Sequence, residues 1–283
     1  MALVSSGDML RVAAEHGYGI PSFCVWSAEG IELTLRTANK MNAPVLIMSG
    51  PGEFPTLEPK DIAEIAKFVA RRFDIPVALH LDHGDSVSLV EECVRSGFTS
   101  VMLDLSTEAY EENVRGMREV VRIAKSSNVT VEGEIGTIGR AETSQAEESG
   151  RIEYTAVEDA ERFVLDTGID ILAVSIGNRH GFYRGDPVIN VERAREIYAA
   201  VKIPLVLHGG TGTPPTTLTA LVKSGVAKIN VASEIVHGIR EDLTRQWSNN
   251  ENFWVPIAIG ETKRIVEPIL ERWFRATGAA NRA

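Results

Sequence analysis

Cysteine is nearly missing from this chain: 283 residues contain two, Cys24 and Cys93. They fall in different expected elements, which excludes a disulfide framework and a CxxC metal knuckle and makes a reduced cytoplasm the expected compartment. Long apolar runs are missing as well. No stretch approaches the ~18 residues that cross a bilayer, and the opening Met1-Ala2-Leu3-Val4-Ser5-Ser6 has no cationic stretch ahead of an apolar core, so the chain reads as soluble and unprocessed. Positive charge is in deficit, 29 Lys and Arg against 39 Asp and Glu, a net charge of −10. A sequence-independent grip on nucleic acid or on an anionic membrane needs clustered cations, so neither is an expected partner, and a phosphate ligand must be bound locally.

What is there is an apolar fraction of 44%, enough for a large core at a length ordinary for one barrel of alternating strands and helices, so residues 1–283 are expected to form a single domain. Short runs rich in Val, Ile and Leu recur at Tyr18–Val25, Pro44–Ser49, Val77–His83, Ser100–Asp104, Thr130–Ile135, Ile171–Gly177, Pro204–Gly209 and Ala227–Val231. Helical spacing fills the intervals at Glu29–Met41, Lys60–Phe73, Ser86–Ser96, Tyr110–Lys125, Ala156–Thr167, Val191–Ala200 and Pro214–Ser224, several of them opened by Ser, Thr, Asp or Pro. Eight such units predict an α/β fold, the closed TIM (β/α)8 barrel. An open doubly wound sheet would usually carry its phosphate-binding glycines after the first strand, whereas here the Gly-rich turns come late, after the sixth and seventh. A C-terminal helical extension follows Ser233: an amphipathic helix to Trp247, a polar break at Ser248–Asn252 and a last helix from about Glu261 to Arg275. The connection Gly136–Glu153 is poor in apolar residues and is expected to be a mobile lid.

In such a barrel the loops after the strands build the active face. The third strand ends Leu79-His80-Leu81-Asp82-His83, the sixth is followed by Asn178-Arg179-His180-Gly181, and the seventh ends Leu207-His208-Gly209-Gly210-Thr211-Gly212. A lone histidine is more often a hydrogen-bonded structural imidazole, the reading kept for His80, His16 and His237. Three of the six histidines at strand ends point instead to a catalytic zinc on His83, His180 and His208, open to a substrate oxygen and acting as a Lewis acid. Asp82 beside it suits a general acid or base, with support of a histidine as the plainer role. Glu132 and Glu134, two apart, share a face; Glu134 is a candidate for a second metal position together with Asp104, and Glu132 is expected to be structural. Backbone N–H groups of Gly209-Gly210-Thr211-Gly212 and of Asn230-Val231-Ala232-Ser233 make an anion cradle after strands seven and eight, to which Arg184 would add a charge-assisted contact.

Asp82-His83, Glu132-Gly133-Glu134-Ile135-Gly136, His180-Gly181, the His208 turn and Lys228-Ile229-Asn230-Val231 together resemble the class II fructose-bisphosphate and tagatose-bisphosphate aldolases, in order and over nearly the whole chain. The resemblance implies a Zn2+ enzyme, with a monovalent cation left open, that reversibly cleaves a phosphorylated ketose to dihydroxyacetone phosphate and an aldehyde. His83, His180 and His208 match the zinc ligands, which hold the ketone and hydroxyl oxygens of dihydroxyacetone phosphate. Asp82 would handle the proton on the C4 hydroxyl, and Glu142 on the lid the proton at C3. The phosphate contacts carry over to Gly181, Gly209, Gly210, Thr211, Asn230, Val231 and Ser233, and Arg184 stands where a lysine is often found. A homodimer or homotetramer is usual in the family.

The aldehyde half departs from that pattern. Where the family commonly reads Phe-Asn after the first proline, this chain reads Pro21-Ser22-Phe23-Cys24-Val25-Trp26, and where many members place Pro-Arg near the C-terminus it reads Glu251-Asn252-Phe253-Trp254-Val255-Pro256. Losing a bidentate arginine disfavours a distal phosphate, which points to a ketose 1-phosphate whose far end is unphosphorylated or carries a sulfonate, a carboxylate or a deoxy carbon; Arg140 is a weak candidate to read such an anion. Three rivals are weighed. A Schiff-base aldolase needs a lysine near a strand's catalytic end, but Lys228 sits early in strand eight. A zinc hydrolase often ends its first strand in His-x-His, where this one has Cys24. A non-catalytic sugar-phosphate-binding barrel is expected to lose metal ligands or the loop acid first, and all are present.

Overall fold

A computed structural model of the chain describes residues 3–136, 138, 154–183, 185, 187–249 and 254–283. A helix, α1 (Ser6–His16), comes first. Eight parallel strands follow, β1 (Ile20–Cys24), β2 (Val45–Ser49), β3 (Val77–Gly84), β4 (Ser100–Leu103), β5 (Thr130–Ile135), β6 (Ile171–Val174), β7 (Leu205–Leu207) and β8 (Val226–Val231). They pair in chain order and close with β8 against β1, the TIM barrel expected from the sequence. Helices α2 (Ala28–Lys40), α3 (Pro59–Ala70), α4 (Val87–Ser96), α5 (Tyr110–Lys125), α6 (Val157–Thr167), α7 (Val191–Val201) and α8 (Pro215–Val222) follow β1 to β7 in turn. After β8 come α9 (Ser233–Asn249), α10 (Val255–Glu261) and α11 (Lys263–Ala276).

Local chemistry accounts for many of the boundaries. Ser27, Ser86 and Asn190 cap α2, α4 and α7 by accepting from the N–H groups of Gly30, Leu89 and Arg193. Pro59 and Pro215 open α3 and α8, where a missing N–H costs nothing. Outward-facing Phe23, Ile47, Leu79, Val101, Val131 and Leu172 pack with Leu35, Val90, Val120, Phe163 and Leu221 of the helices in one continuous core. That core is the hydrophobic mass of the protein, and it lies outside the barrel, between sheet and helices.

The inside of the barrel is layered. Ile20, Leu46, Ala78 and Val206 cluster with Leu10 and Ala13 of α1, which thereby plugs the N-terminal end. The sequence assigned no element there. The plug is fastened by polar contacts: Val4 N–H donates to the Val77 carbonyl (2.8 Å), Gly7 N–H to Thr130 Oγ1 (2.7 Å), and Ser6 Oγ to Ser100 Oγ (2.9 Å). Two residues above this floor, as the period of a strand requires, come His80, Glu132 and Lys228, all fully buried; two further lie Asp82, Glu134 and Asn230 at the mouth.

Three other boundaries differ from expectation. β6 stops at Val174 and β7 at Leu207, because the chain turns away through left-handed glycines, Gly177 (φ 99°) and Gly209 (φ 63°). The final helix is preceded by a separate short one, α10, whose residues Val255, Ile257 and Ile259 are exposed together with Trp254 just before it. The polar break expected at Ser248–Asn252 begins after Asn249, and residues 250–253, like the expected lid beyond Gly136 except Ile138, lie outside the described residues.

Thr130→Val removes the acceptor of Gly7 N–H and the hydroxyl partner of Ser5 (2.7 Å), leaving a part-buried donor unmade. The expected loss is about 1–2 kcal/mol, or about 2–4 °C in Tm. An unchanged thermal unfolding curve would show that α1 is held without this contact.

Candidate active site

An ideal strand would send Asp82 and His83 to opposite faces. Instead the pairing of β3 with β4 slips between Leu81 and Gly84, and His83 adopts a left-handed backbone (φ 47°) uncommon for any residue but glycine. This bulge brings both side chains to the mouth. Gly84 is required just there, since a Cβ would stand 2.5 Å from the Met102 carbonyl oxygen. His180 comes from the loop after β6 and His208 from the end of β7.

The three imidazoles meet edge to face, with ring centroids 4.6–5.5 Å apart. His83 Nε2 is 3.0 Å from His208 Nδ1 and 3.2 Å from His180 Nε2. What lies behind two of the rings fixes their protons. His83 Nδ1 donates to Asp104 Oδ2 (2.7 Å), and His208 Nε2 donates to Glu132 Oε1 (2.8 Å). With those nitrogens carrying the protons, neutral rings would aim lone pairs at each other across 3.0 Å, an arrangement relieved by a shared cation, a proton or a metal. Glu134 Oε2, buried without a hydrogen-bond partner among the described residues and 3.6 Å from His208 Nδ1, adds an oxygen donor. The donor set of three imidazoles with carboxylates behind them fits zinc.

Electrostatics agree. Burial alone would lower the pKa of His83, but Asp82, the hydrogen bond to Asp104 and Glu134 outweigh it and hold the ring at about 9. Burial and the neighbouring Asp104 push Glu134 up to about 8. His208 lies well below the ordinary histidine value, through burial and the charge of His83. Asp82 resists its burial and stays below the usual carboxylate range, held there by His83, His208 and Lys228. Asp82 Oδ1 accepts from Asn230 Nδ2 (2.9 Å), while Asn230 Oδ1 is buried without a partner beside it.

Asp104 is more committed than the second-metal expectation allowed: besides His83 it accepts from Ser106 N–H (3.1 Å) and Ser106 Oγ (2.7 Å). His83, Asp104 and Glu134 nevertheless form a second group whose donor atoms lie within 4.8 Å of one another. Glu132 has the structural partners expected of it. His80 is buried between Ser100 and Lys228, His16 bonds the Val12 carbonyl, and His237 lies 3.5 Å from Glu241 on α9.

The turns after β6 and β7 interlock. At Gly209 a Cβ would stand 2.0 Å from the Arg179 carbonyl oxygen, so only glycine lets the two loops touch. Gly210 N–H is already given to the Asn230 carbonyl (3.0 Å), Thr211 is buried, Gly181 is left-handed (φ 95°), and Val231 and Ser233 lead into the first turn of α9. Two residues that sequence reasoning passed over tie these loops together. Asn178 Nδ2 donates to the His208 carbonyl (3.0 Å) while its Oδ1 accepts from Ile176 N–H; Tyr183 OH donates to the Gly209 carbonyl (3.2 Å) and accepts from Arg179 N–H. The only signal available was their place beside His180. Glu142, Arg140 and Arg184 lie outside the described residues.

A model of the class-II fructose-bisphosphate aldolase family matches residues 4–282. The chain belongs to that family and is an aldolase, a carbon–carbon lyase. Among solved structures it is similar to the YdjI aldolase of Escherichia coli K12, with 28% identity, 99% of each chain covered and a TM-score of 0.88. The fold is also that of a fructose-bisphosphate aldolase from Campylobacter jejuni, with 23% identity, 100% of this chain and 97% of the other covered, and a TM-score of 0.82.

A pH series on metal-free protein tests the electrostatics. Raised folded-state values mean that His83 contributes stability present below about 6.5 and lost as pH rises through about 9, and that Glu134 contributes in the same direction up to about 8. The denaturant midpoint of chelator-treated protein should therefore fall steadily from pH 6.5 to 9. A flat midpoint would show that the cluster does not hold the proton.

Proposed function

We propose that this aldolase uses zinc to cleave a ketose 1-phosphate or 1,6-bisphosphate, reversibly, to dihydroxyacetone phosphate and an aldehyde, and that its preferred substrate carries no phosphate at the distal end. The observation that carries the reading is the set of three facing imidazole nitrogens, with His208 Nδ1 and His180 Nε2 within 3.2 Å of His83 Nε2, inside a barrel of this family. His83, His180 and His208 would hold the ion, with Glu134 and Asp104 as the second position. Bound there, zinc supplies a Lewis acid for the ketone and hydroxyl oxygens of the three-carbon half.

The remaining work falls to this chain's own residues. Asp82, ionised and steered by Asn230 Nδ2, takes the proton of the C4 hydroxyl as the C3–C4 bond breaks and returns it in the aldol direction. Asn230 Oδ1, buried and unpartnered, is available to a substrate hydroxyl. Glu142 exchanges the proton at C3. The phosphate rests on N–H groups of the loops at Gly181, Gly209 and Thr211 and on the first turn of α9 at Ser233, reached from Asn230 and Val231, with Arg184 adding charge. Gly210 serves through its backbone, by pinning the turn to β8.

On the aldehyde side, Cys24 is held far above the usual thiol range by burial and by the carboxylates of Glu53 and Asp82. Two carboxylates beside that position repel a distal dianion, which supports an uncharged or deoxy end over a second phosphate. Both cysteines are free and buried, in keeping with a reducing cytoplasm, and among the described residues no helix is long and apolar enough to cross a membrane. Exposed Trp254, Val255, Ile257 and Ile259 on and beside α10 suit a homodimer or homotetramer.

The test is release of dihydroxyacetone phosphate from fructose and tagatose 1,6-bisphosphates, fructose 1-phosphate, a 6-deoxyketose 1-phosphate and 6-deoxy-6-sulfofructose 1-phosphate, each with and without chelator. Chelator-sensitive cleavage is expected, fastest on a 1-phosphate; chelator-resistant cleavage would sink zinc dependence, and a preference for the bisphosphates would sink the distal-end assignment. His83→Ala and His208→Ala should each lose zinc, measured by metal analysis.

Asp82→Asn keeps the shape and removes the base. It should retain zinc and lower kcat by about 10²–10⁴-fold; a loss below tenfold would relegate Asp82 to supporting the histidines.

A further inference from the structure

Lys228 has no part in the chemistry above, yet its ammonium lies at the centre of the barrel, fully buried. Its Nζ is 2.7 Å from Glu132 Oε2 and 2.9 Å from His80 Nε2. The second oxygen of Glu132 is the one that takes the His208 Nε2 proton at 2.8 Å. On the other side His80 Nδ1 meets Ser100 Oγ (2.8 Å), which also accepts from Ser6 Oγ (2.9 Å). The chain of contacts runs from the floor helix to the histidine cluster through residues that are all buried.

Its direction is dictated at Lys228. An ammonium only donates, so His80 accepts at Nε2 and its own proton sits on Nδ1, given to Ser100. A carboxylate only accepts, so Glu132, neutralised at Oε2 by Lys228, must receive a proton from His208 at Oε1. The His208 proton is then confined to Nε2, and Nδ1 presents a lone pair to the cluster. Remove the ammonium and nothing holds Glu132 turned with Oε1 toward His208 Nε2, so the acceptor that confines the proton is no longer fixed in place.

Stability offers no reason for such a layer. A wholly buried ion pair loses about as much in desolvation as it recovers in attraction, and apolar residues of similar volume are often as good or better. A nucleophilic role is equally at odds with the placement, since the amine is fully buried and bonded to both Glu132 and His80.

We infer that Lys228 is a positioning residue of the metal site: it holds Glu132 as a two-sided acceptor and thereby locks His208 in the tautomer that frees Nδ1. The consequence for zinc rests on the reading of the site given above; the tautomer lock does not. One experiment separates the two. In metal-free, ¹⁵N-histidine-labelled protein, long-range ¹H–¹⁵N spectra report which nitrogen of His208 carries the proton, and competition with a chromophoric chelator reports the zinc dissociation constant. Wild type should show the Nε2–H form alone. Lys228→Met should give a mixture of both tautomers and weaken zinc about 10–100-fold. Because an unpaired buried Glu132 opposes folding of that variant, Lys228→Met/Glu132→Gln carries the same test in a neutral layer: the amide can present either oxygen or NH₂, so the mixture and the weaker zinc binding should both persist, with unchanged circular dichroism. A pure Nε2–H spectrum or a wild-type dissociation constant in the double variant overturns the inference. Should wild type bind no zinc at all, the zinc reading fails and the tautomer comparison alone decides.

Discussion

Lone pairs that face one another across about 3 Å repel unless something positive lies between them, and this requirement organises the whole active face. His83 and His208 are kept in that relation by Asp104 and Glu132, which hold the protons on the far side of each ring. Those carboxylates are themselves anchored, one by Ser106 and the other by Lys228. The result is a centre with a standing demand for a cation, met by a proton in the metal-free protein.

The scaffold separates this demand from the business of staying folded. Hydrophobic burial is concentrated in the outer ring between strands and helices, where the geometry is regular and the residues are Val, Ile, Leu and Phe. Irregular backbone gathers at the mouth: the slipped register of β3, the left-handed His83, and a Gly209 approached so closely that no other residue fits. Strain of this kind persists only where surrounding contacts over-determine the conformation. Asn178 and Tyr183 supply such contacts, binding the β6 loop that carries His180 to the β7 turn that carries His208.

Much of this was legible in the residues. Period-2 apolar runs alternating with helical spacing gave eight strands and a closed barrel, and three histidines at strand ends gave the cluster. The sequence did not reveal how Asp82 and His83, neighbours on one strand, reach one mouth, because a bulge leaves no mark on alternation. Nor did it reveal α1, whose Ser-Gly-Asp opening and modest apolar content resemble a loop until the floor of the barrel offers Leu10 and Ala13 a partner. Glu132 was read as structural from its spacing to Glu134, but its counter-ion, 96 residues away, follows only from closure of the sheet. The anion cradle read at Gly209-Gly210 overlooked that Gly210 spends its N–H on β8, a bond that exists only once β7 and β8 are adjacent.

The plugged floor sets the traffic of the molecule. With α1 seated under the apolar layer and a charged layer packed above it, the barrel is a blind well, open at one rim. Both fragments of a cleaved substrate must depart by the way the whole one arrived, past the rim where the histidines and the glycine turns stand. Arrival and departure share one passage, so neither fragment of an aldol cleavage can leave without crossing the path of the other. That single passage is a property of the stopper at the far end of the barrel, some distance from the histidine cluster.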